Sequence, residues 1–186
     1  MTRLRFETVR DLLEAFPVAE RLIDIEPNDE PSLRFLQGLV AGDDLDTAAG
    51  FCAFLLPRRE AVWWGCRTVE AFVPSRSREE DEAIRAAADW VREPADARRL
   101  TALAIGIRGS SKLPSTYLAL AAGWSGGRMD VGAGEPVPVP PHQTARLVRV
   151  AVLIAACSVD LERKSDLLHG CLEDGIRLVS DETQEA

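Results

Sequence analysis

The chain has 186 residues, 46% of them hydrophobic, with a formal net charge of −8. It is long enough to bury a real core and sized for one domain. Its acidity excludes a general nucleic-acid binder, because neutralising phosphates takes clustered Lys and Arg in excess.

From the start, MTRLRFETVRDLLEAF carries charges every few positions and no apolar signal core. Beyond it, apolar residues recur at helical spacing nearly throughout and no convincing alternating strand is present, which predicts an all-α fold. The spacing places helices over 7–24, 31–41, 45–56, 58–73, 78–92, 95–108, 114–124, 143–158 and 160–179, eight or nine in a compact bundle with helical-repeat-like stacking. Punctuation supports the pattern. Thr8 caps the first helix, Pro31 opens the second and Gly42 follows it, Ser77 with Glu80 reads as a capping box, and Pro114 begins the seventh. Gly126 and Gly127 supply a left-handed stop after Trp124. The longest apolar run, Val150 to Cys157, falls far short of the roughly 18 residues of a membrane span. A cytoplasmic protein with no membrane partner is expected. Its four cysteines are expected to be reduced, buried small hydrophobes.

One segment differs in kind. In VGAGEPVPVPPH, residues 131–142, closely spaced prolines impose an extended run that reads as a semi-rigid strap. It divides a single domain into a main body, 1–130, and a C-terminal helix pair, 143–180, followed by a short polar tail. Leu161, Leu168, Leu172, Ile176 and Val179 form the pair's apolar face. A faint echo links the blocks: Cys52 to Cys66 aligns without gaps to Cys157 to Cys171, sharing both cysteines, Leu56 with Leu161, Arg58 with Arg163 and Gly65 with Gly170.

The helix over 58–73 carries adjacent tryptophans. Val62, Cys66, Val69 and Val73 converge on its core face. At roughly 100° per residue, Trp63 lies on the flank of that stripe, and Trp64 falls nearly opposite, between Glu60, Arg67 and Ala71. Either Trp64 is packed under a second layer, or it is presented outward as an aromatic and arginine anchor of the kind that dominates interfaces. Arg58, Arg59, Trp64 and Arg67 are therefore the candidate partner-binding residues.

No catalytic, metal or cofactor site is expected. GWSGG, Gly123 to Gly127, satisfies G-x-S-x-G, and Asp160 and His169 follow in hydrolase order, yet that elbow needs a strand before it. Here a helical YLALAAGW precedes it, so a helix C-cap is the better reading. GIRGSSK, Gly106 to Lys112, lacks phosphate-loop spacing. His142 and His169 are the only histidines, and His169 with Cys157 and Cys171 lacks a fourth zinc ligand. Acidic runs at Asp43 to Asp46 and Glu79 to Glu82 sit where helices begin, favourable against the dipole.

LLPRREAVWWGC, ADWVREPADARR, LALAAGWSGG and PVPVPPHQTARLV, taken together and in this order, resemble an uncharacterised bacterial all-helical domain family of about this length. The likeness runs from about Leu33 to Cys157. Some members of that family are encoded near type VI secretion genes, and the resemblance implies a secretion accessory role with no established functional residues. More distantly the chain resembles small helical immunity proteins. The expectation is a non-catalytic adaptor, chaperone or regulatory factor that binds another protein, either a secretion component or an effector. The alternative is an immunity protein blocking a toxin, and the outsider is a serine hydrolase using Ser125.

Overall fold

A computed structural model describes residues 5–129, 132 and 135–181. The polar tail after residue 181, and positions 131, 133 and 134 of the strap, lie outside the described residues. Among the described residues, ten helices and one small ladder follow in the order α1 Val9–Ala15, α2 Pro17–Ile23, α3 Ser32–Ala41, α4 Leu45–Leu55, α5 Arg58–Phe72, α6 Arg78–Arg92, α7 Asp96–Arg108, α8 Pro114–Gly123, β1 Arg128–Met129, β2 Val137–Pro138, α9 Gln143–Ala156 and α10 Leu161–Asp181. The fold is all-α.

The expected single helix over 7–24 is two helices. Pro17 has no N–H to donate and its ring crowds the preceding turn, so α1 ends at Phe16 and α2 restarts on the proline. The local signals elsewhere hold. Thr8 with Asp11 and Ser77 with Glu80 both form reciprocal capping boxes. Asp46 lies in the first turn of α4, and Glu79, Glu80 and Asp81 lie in that of α6.

Helix α4 is buried almost all round, from Ala48 through Leu55, which marks it as central rather than amphipathic. Two helical corners, α4–α5 and α9–α10, interlock around it, each helix of one corner packing on both helices of the other. The echoed cysteine segments fall on these corners. Helix α8 joins the centre against α9 and α5 and carries α6 and α7 on its other side, α3 packs on α4 and α10, and α2 lies on α4. On α10, Leu168, Leu172 and Val179 are buried and Ile176 is half-buried, as the apolar face requires. Leu161 departs from that face: it begins the helix and stands exposed.

The strap is less simple than an extended connector. Val137 and Pro138 pair antiparallel with Met129 and Arg128, Val139 N–H donates to Gly127 O, and Arg128 donates to Pro136 O. Pro138, the proline within this ladder, follows Val137 and precedes the Val139 N–H that donates to Gly127, so its own nitrogen faces away from β1, where a missing donor costs nothing. Of the two glycines expected to turn the chain here, Gly127 adopts positive φ (84°). Among the described residues no helix is long and apolar enough to cross a membrane.

Candidate interaction surface

Helix α5 is covered on two sides. Towards α8 and α9, Gly65 leaves room that a Cβ would fill, 2.8 Å from a Leu118 methyl and 3.0 Å from one of Val148. On a second side α10 runs back along α5 in the opposite direction. Leu178 lines a hollow with Trp63, while Gly175 and Cys171 lie against Trp64. Gly175 permits this approach, since a Cβ there would lie 2.6 Å from Cys52 Sγ and 3.2 Å from Trp64 Nε1.

Trp64 is in consequence wholly buried, 0% exposed, and its Nε1–H donates to Cys171 O at 2.7 Å. The assignment of Trp64 as a surface partner-binding residue is corrected. Its own helix leaves it on an outward face, and a helix more than a hundred positions away covers that face. Trp63 takes the outward place at 41% exposure. With Arg59 and Arg67 four residues to either side, it forms an exposed ridge on one helix face.

The other candidates divide. Arg59 Nε donates to Val91 O at 2.6 Å, tying the start of α5 to the end of α6. Arg67 pairs with Glu70 at 3.3 Å. Arg58 points elsewhere, donating to Pro141 O at 3.5 Å. Near it, Arg5 stacks 4.9 Å from the ring centres of both Phe6 and Phe16, and burial followed by the Arg58 charge lowers the Arg5 guanidinium below the usual arginine range. Arg59, Trp63 and Arg67 thus share one surface, and Arg58 belongs to another.

Two hollows flank the ridge. One, ≈ 250 Å³, is lined by Arg59, Glu60, Trp63, Val91 and Leu178. The other, ≈ 370 Å³, lies between α5 and α10, with Trp64, Thr68, Leu167 and Cys171 at its base and charged residues of both helices at its rim. A third hollow at the acidic corner, ≈ 300 Å³, is lined by Asp43, Asp44 and Asp46 together with Lys164, which pairs with Asp46 at 2.7 Å.

All four cysteines are free, but Cys157, at the α9 C-cap, is exposed, against the expectation that all four are buried. Burial pushes the Cys66 thiol up to about 12 and raises those of Cys52 and Cys171. Thiols whose folded values lie above their unfolded ones favour the fold while protonated. That contribution is complete below about pH 8.5, where an unfolded thiol ionises, and is lost as pH rises towards the folded values, at about 1.4 kcal/mol per pH unit per thiol. Stability measured by urea denaturation is expected to fall steeply above that pH. Native alkylation is expected to label Cys157 and spare the other three. Rapid native labelling of a second cysteine would contradict the packing.

The motif-like stretches have structural roles. In GWSGG, a Cβ on Gly123 would lie 2.6 Å from Leu103 Cα, so α7 and α8 meet backbone to backbone. Arg99 Nη1 donates to Gly123 O and Gly126 O, closing the end of α8. His169 Nδ1 lies 3.1 Å from Ser165 O and its Nε2 4.0 Å from Asp43, while Asp160 accepts from Arg163 N–H at the start of α10. Among the described residues, Ser125, Asp160 and His169 make no hydrogen bond or ion pair with one another. Gly123→Ala is expected to lower stability by roughly 1–3 kcal/mol through overpacking. Ser125→Ala is expected to cost no more than about 1 kcal/mol. Thermal denaturation of the two variants checks the contrast. In GIRGSSK, Ser110 N–H donates to Glu79 Oε1 at 3.4 Å, tying this turn to the start of α6. Among the described residues no three His, Cys, Asp or Glu side chains converge as a metal set.

Residues 35–179 match the model of a family described as a family of unknown function (DUF6931). The match begins inside α3 and runs almost to the end of α10, taking in the whole ridge and both hollows beside it. No curated protein and no solved structure matches the chain.

Proposed function

We propose a protein-binding role for this chain, which belongs to the family of unknown function DUF6931. It acts without catalysis, as an adaptor, chaperone or regulatory factor in the cytoplasm, through the outer surface of α5 and α10. The observation that carries this reading is the Arg59–Trp63–Arg67 ridge. A tryptophan left 41% exposed beside a hollow, with arginines on both sides, is the composition enriched in interface hot spots. A place in a bacterial type VI secretion system is supported by the resemblance of the four sequence words. A second reading, an immunity protein that blocks a basic toxin, is favoured by the net charge of −8.

The test is affinity capture from native cytosol with the parent chain, Trp63→Ala and Arg67→Glu, each first checked for parental thermal stability. Loss of the same captured protein in both variants supports the surface. A secretion component among the losses favours the adaptor, and rescue of cells from a neighbouring toxin favours the immunity reading. Capture that survives both variants moves the interface elsewhere. Fluorophosphonate labelling that disappears in Ser125→Ala would overturn the non-catalytic reading.

A further inference from the structure

Helix α7, DARRLTALAIGIR, carries apolar residues on a side that its own fold leaves uncovered. Ala102 and Gly106 are buried against the body, Leu103 lies against Gly123 of α8, and Arg98, Thr101 and Ile105 line a hollow shared with α6. Away from these, Ala97, Leu100, Ala104 and Ile107 are all exposed, Leu100 at 52% and Ile107 at 65%. Two of the five large hydrophobics exposed among the described residues therefore stand seven positions apart on one helix. Steps of three, four and three put the four residues on a single line, the a and d pattern of a helix-pairing seam.

That line is complementary to itself when reversed. In an antiparallel pair centred near Ala102, Leu100 meets Ala104 of the second copy and Ile107 meets its Ala97, so every layer sets a large side chain against a small one. A parallel pair would set Leu100 on Leu100 and Ala104 on Ala104, crowded in one layer and hollow in the next. Charge selects the same direction. Arg98 faces the α6 hollow and Arg99 donates to the Gly123 and Gly126 carbonyls, which leaves Asp96 in the first turn and Arg108 in the last as the charged residues of α7 beside the line. Asp96 accepts from Arg99 yet remains exposed, and Arg108 has no ion pair among the described residues. Antiparallel packing brings each Arg108 to the end of the other helix that carries Asp96 and opposes the two helix dipoles, whereas parallel packing stacks like charge on like.

We propose that this face of α7 pairs with the same face of a second copy of the chain, antiparallel about a two-fold axis near Ala102. The face uses other residues than the Arg59–Trp63–Arg67 ridge, and the inference does not rest on the protein-binding reading. A helix of 13 residues is about 20 Å long and, with α8 beside it, offers on the order of 400 Å² per copy. This falls below the roughly 800 Å² per partner of a standard stable interface, so the dimer is a reversible one.

The test is sedimentation equilibrium of the full chain between about 10 μM and 1 mM, the range that a contact of this size calls for. The average mass is expected to rise from monomer towards dimer with concentration. Leu100→Glu and Ile107→Glu, each at an exposed site and each checked for parental melting, are expected to stay monomeric throughout, and Arg108→Glu to weaken association several-fold. A parent that stays monomeric, association that survives both stripe variants, or unchanged association in Arg108→Glu would overturn the proposal. A monomeric parent whose capture of a different protein is lost in Leu100→Glu would assign the face to that protein and sink self-pairing. Orientation is read in a mixture of two chains, Leu100→Cys and Ala104→Cys, each with Cys157→Ser to remove the native exposed thiol. Mild oxidation is expected to link unlike chains in preference to like ones. Preference for like chains, or no link where the parent dimerises, contradicts the antiparallel pairing.

Discussion

Replacing Trp64 with alanine is expected to remove roughly 3–5 kcal/mol of unfolding free energy, read from urea denaturation, with no new surface exposed to a partner in the folded state. Two losses combine. The side chain is wholly buried between α5 and α10, so its removal leaves a cavity under α10. The carbonyl of Cys171 also loses the indole N–H that meets it at 2.7 Å. Trp64→Phe separates these contributions, keeping most of the packing while giving up the hydrogen bond, and is expected to cost only about 1 kcal/mol from that bond. Trp63→Ala, one position away, is expected to leave stability within about 1 kcal/mol of the parent, as suits a partly exposed site. A Trp64→Ala protein as stable as its parent would mean that α10 does not lie on α5.

Ending the chain after residue 134, before α9, is expected to have the largest effect of all. Val148, Ala151, Val152, Ala155, Leu168, Leu172 and Val179 are buried in the whole protein, and without them α4, α5 and α8 lose their central neighbours. At about 1.5–3 kcal/mol for each fully buried large aliphatic side chain, the loss exceeds the typical net stability of a domain. The shortened chain should bind a hydrophobic dye, lose near-UV circular dichroism and melt without a sharp transition. A sharp melt near the parent temperature would show instead that residues 1–134 stand alone.

What was legible in the sequence was whatever a few neighbouring residues decide. The cap at Thr8, the box at Ser77, and the helix starts at Pro114 and after Pro31 depend on contacts three or four residues apart, and the structure keeps them. The break at Pro17 was equally local. The apolar spacing across 7–24 continues through it because α1 and α2 both face the same core, and this masked the interruption. Val62, Cys66 and Val69 were legible as a core stripe because a helix displays its periodicity whatever packs on it. Which tryptophan faces water was not: at roughly 100° apart the two are told apart only by α10, whose arrival is a fact of tertiary packing. The same holds for Cys157 and Leu161, which lie at the ends of α9 and α10, where the neighbouring layer stops short.

The interlocked corners also set a timetable. During synthesis α4 and α5 emerge early, but the carbonyl that receives the Trp64 indole lies 107 positions later. At about 5–20 residues per second, that delay is on the order of 5–20 s. For that interval the nascent chain presents an unroofed tryptophan and a bare face of its most buried helix to the crowded space around the ribosome. Nascent-chain binding factors, or a second nascent copy whose last helix arrives first, have that window in which to reach a surface the finished molecule never shows.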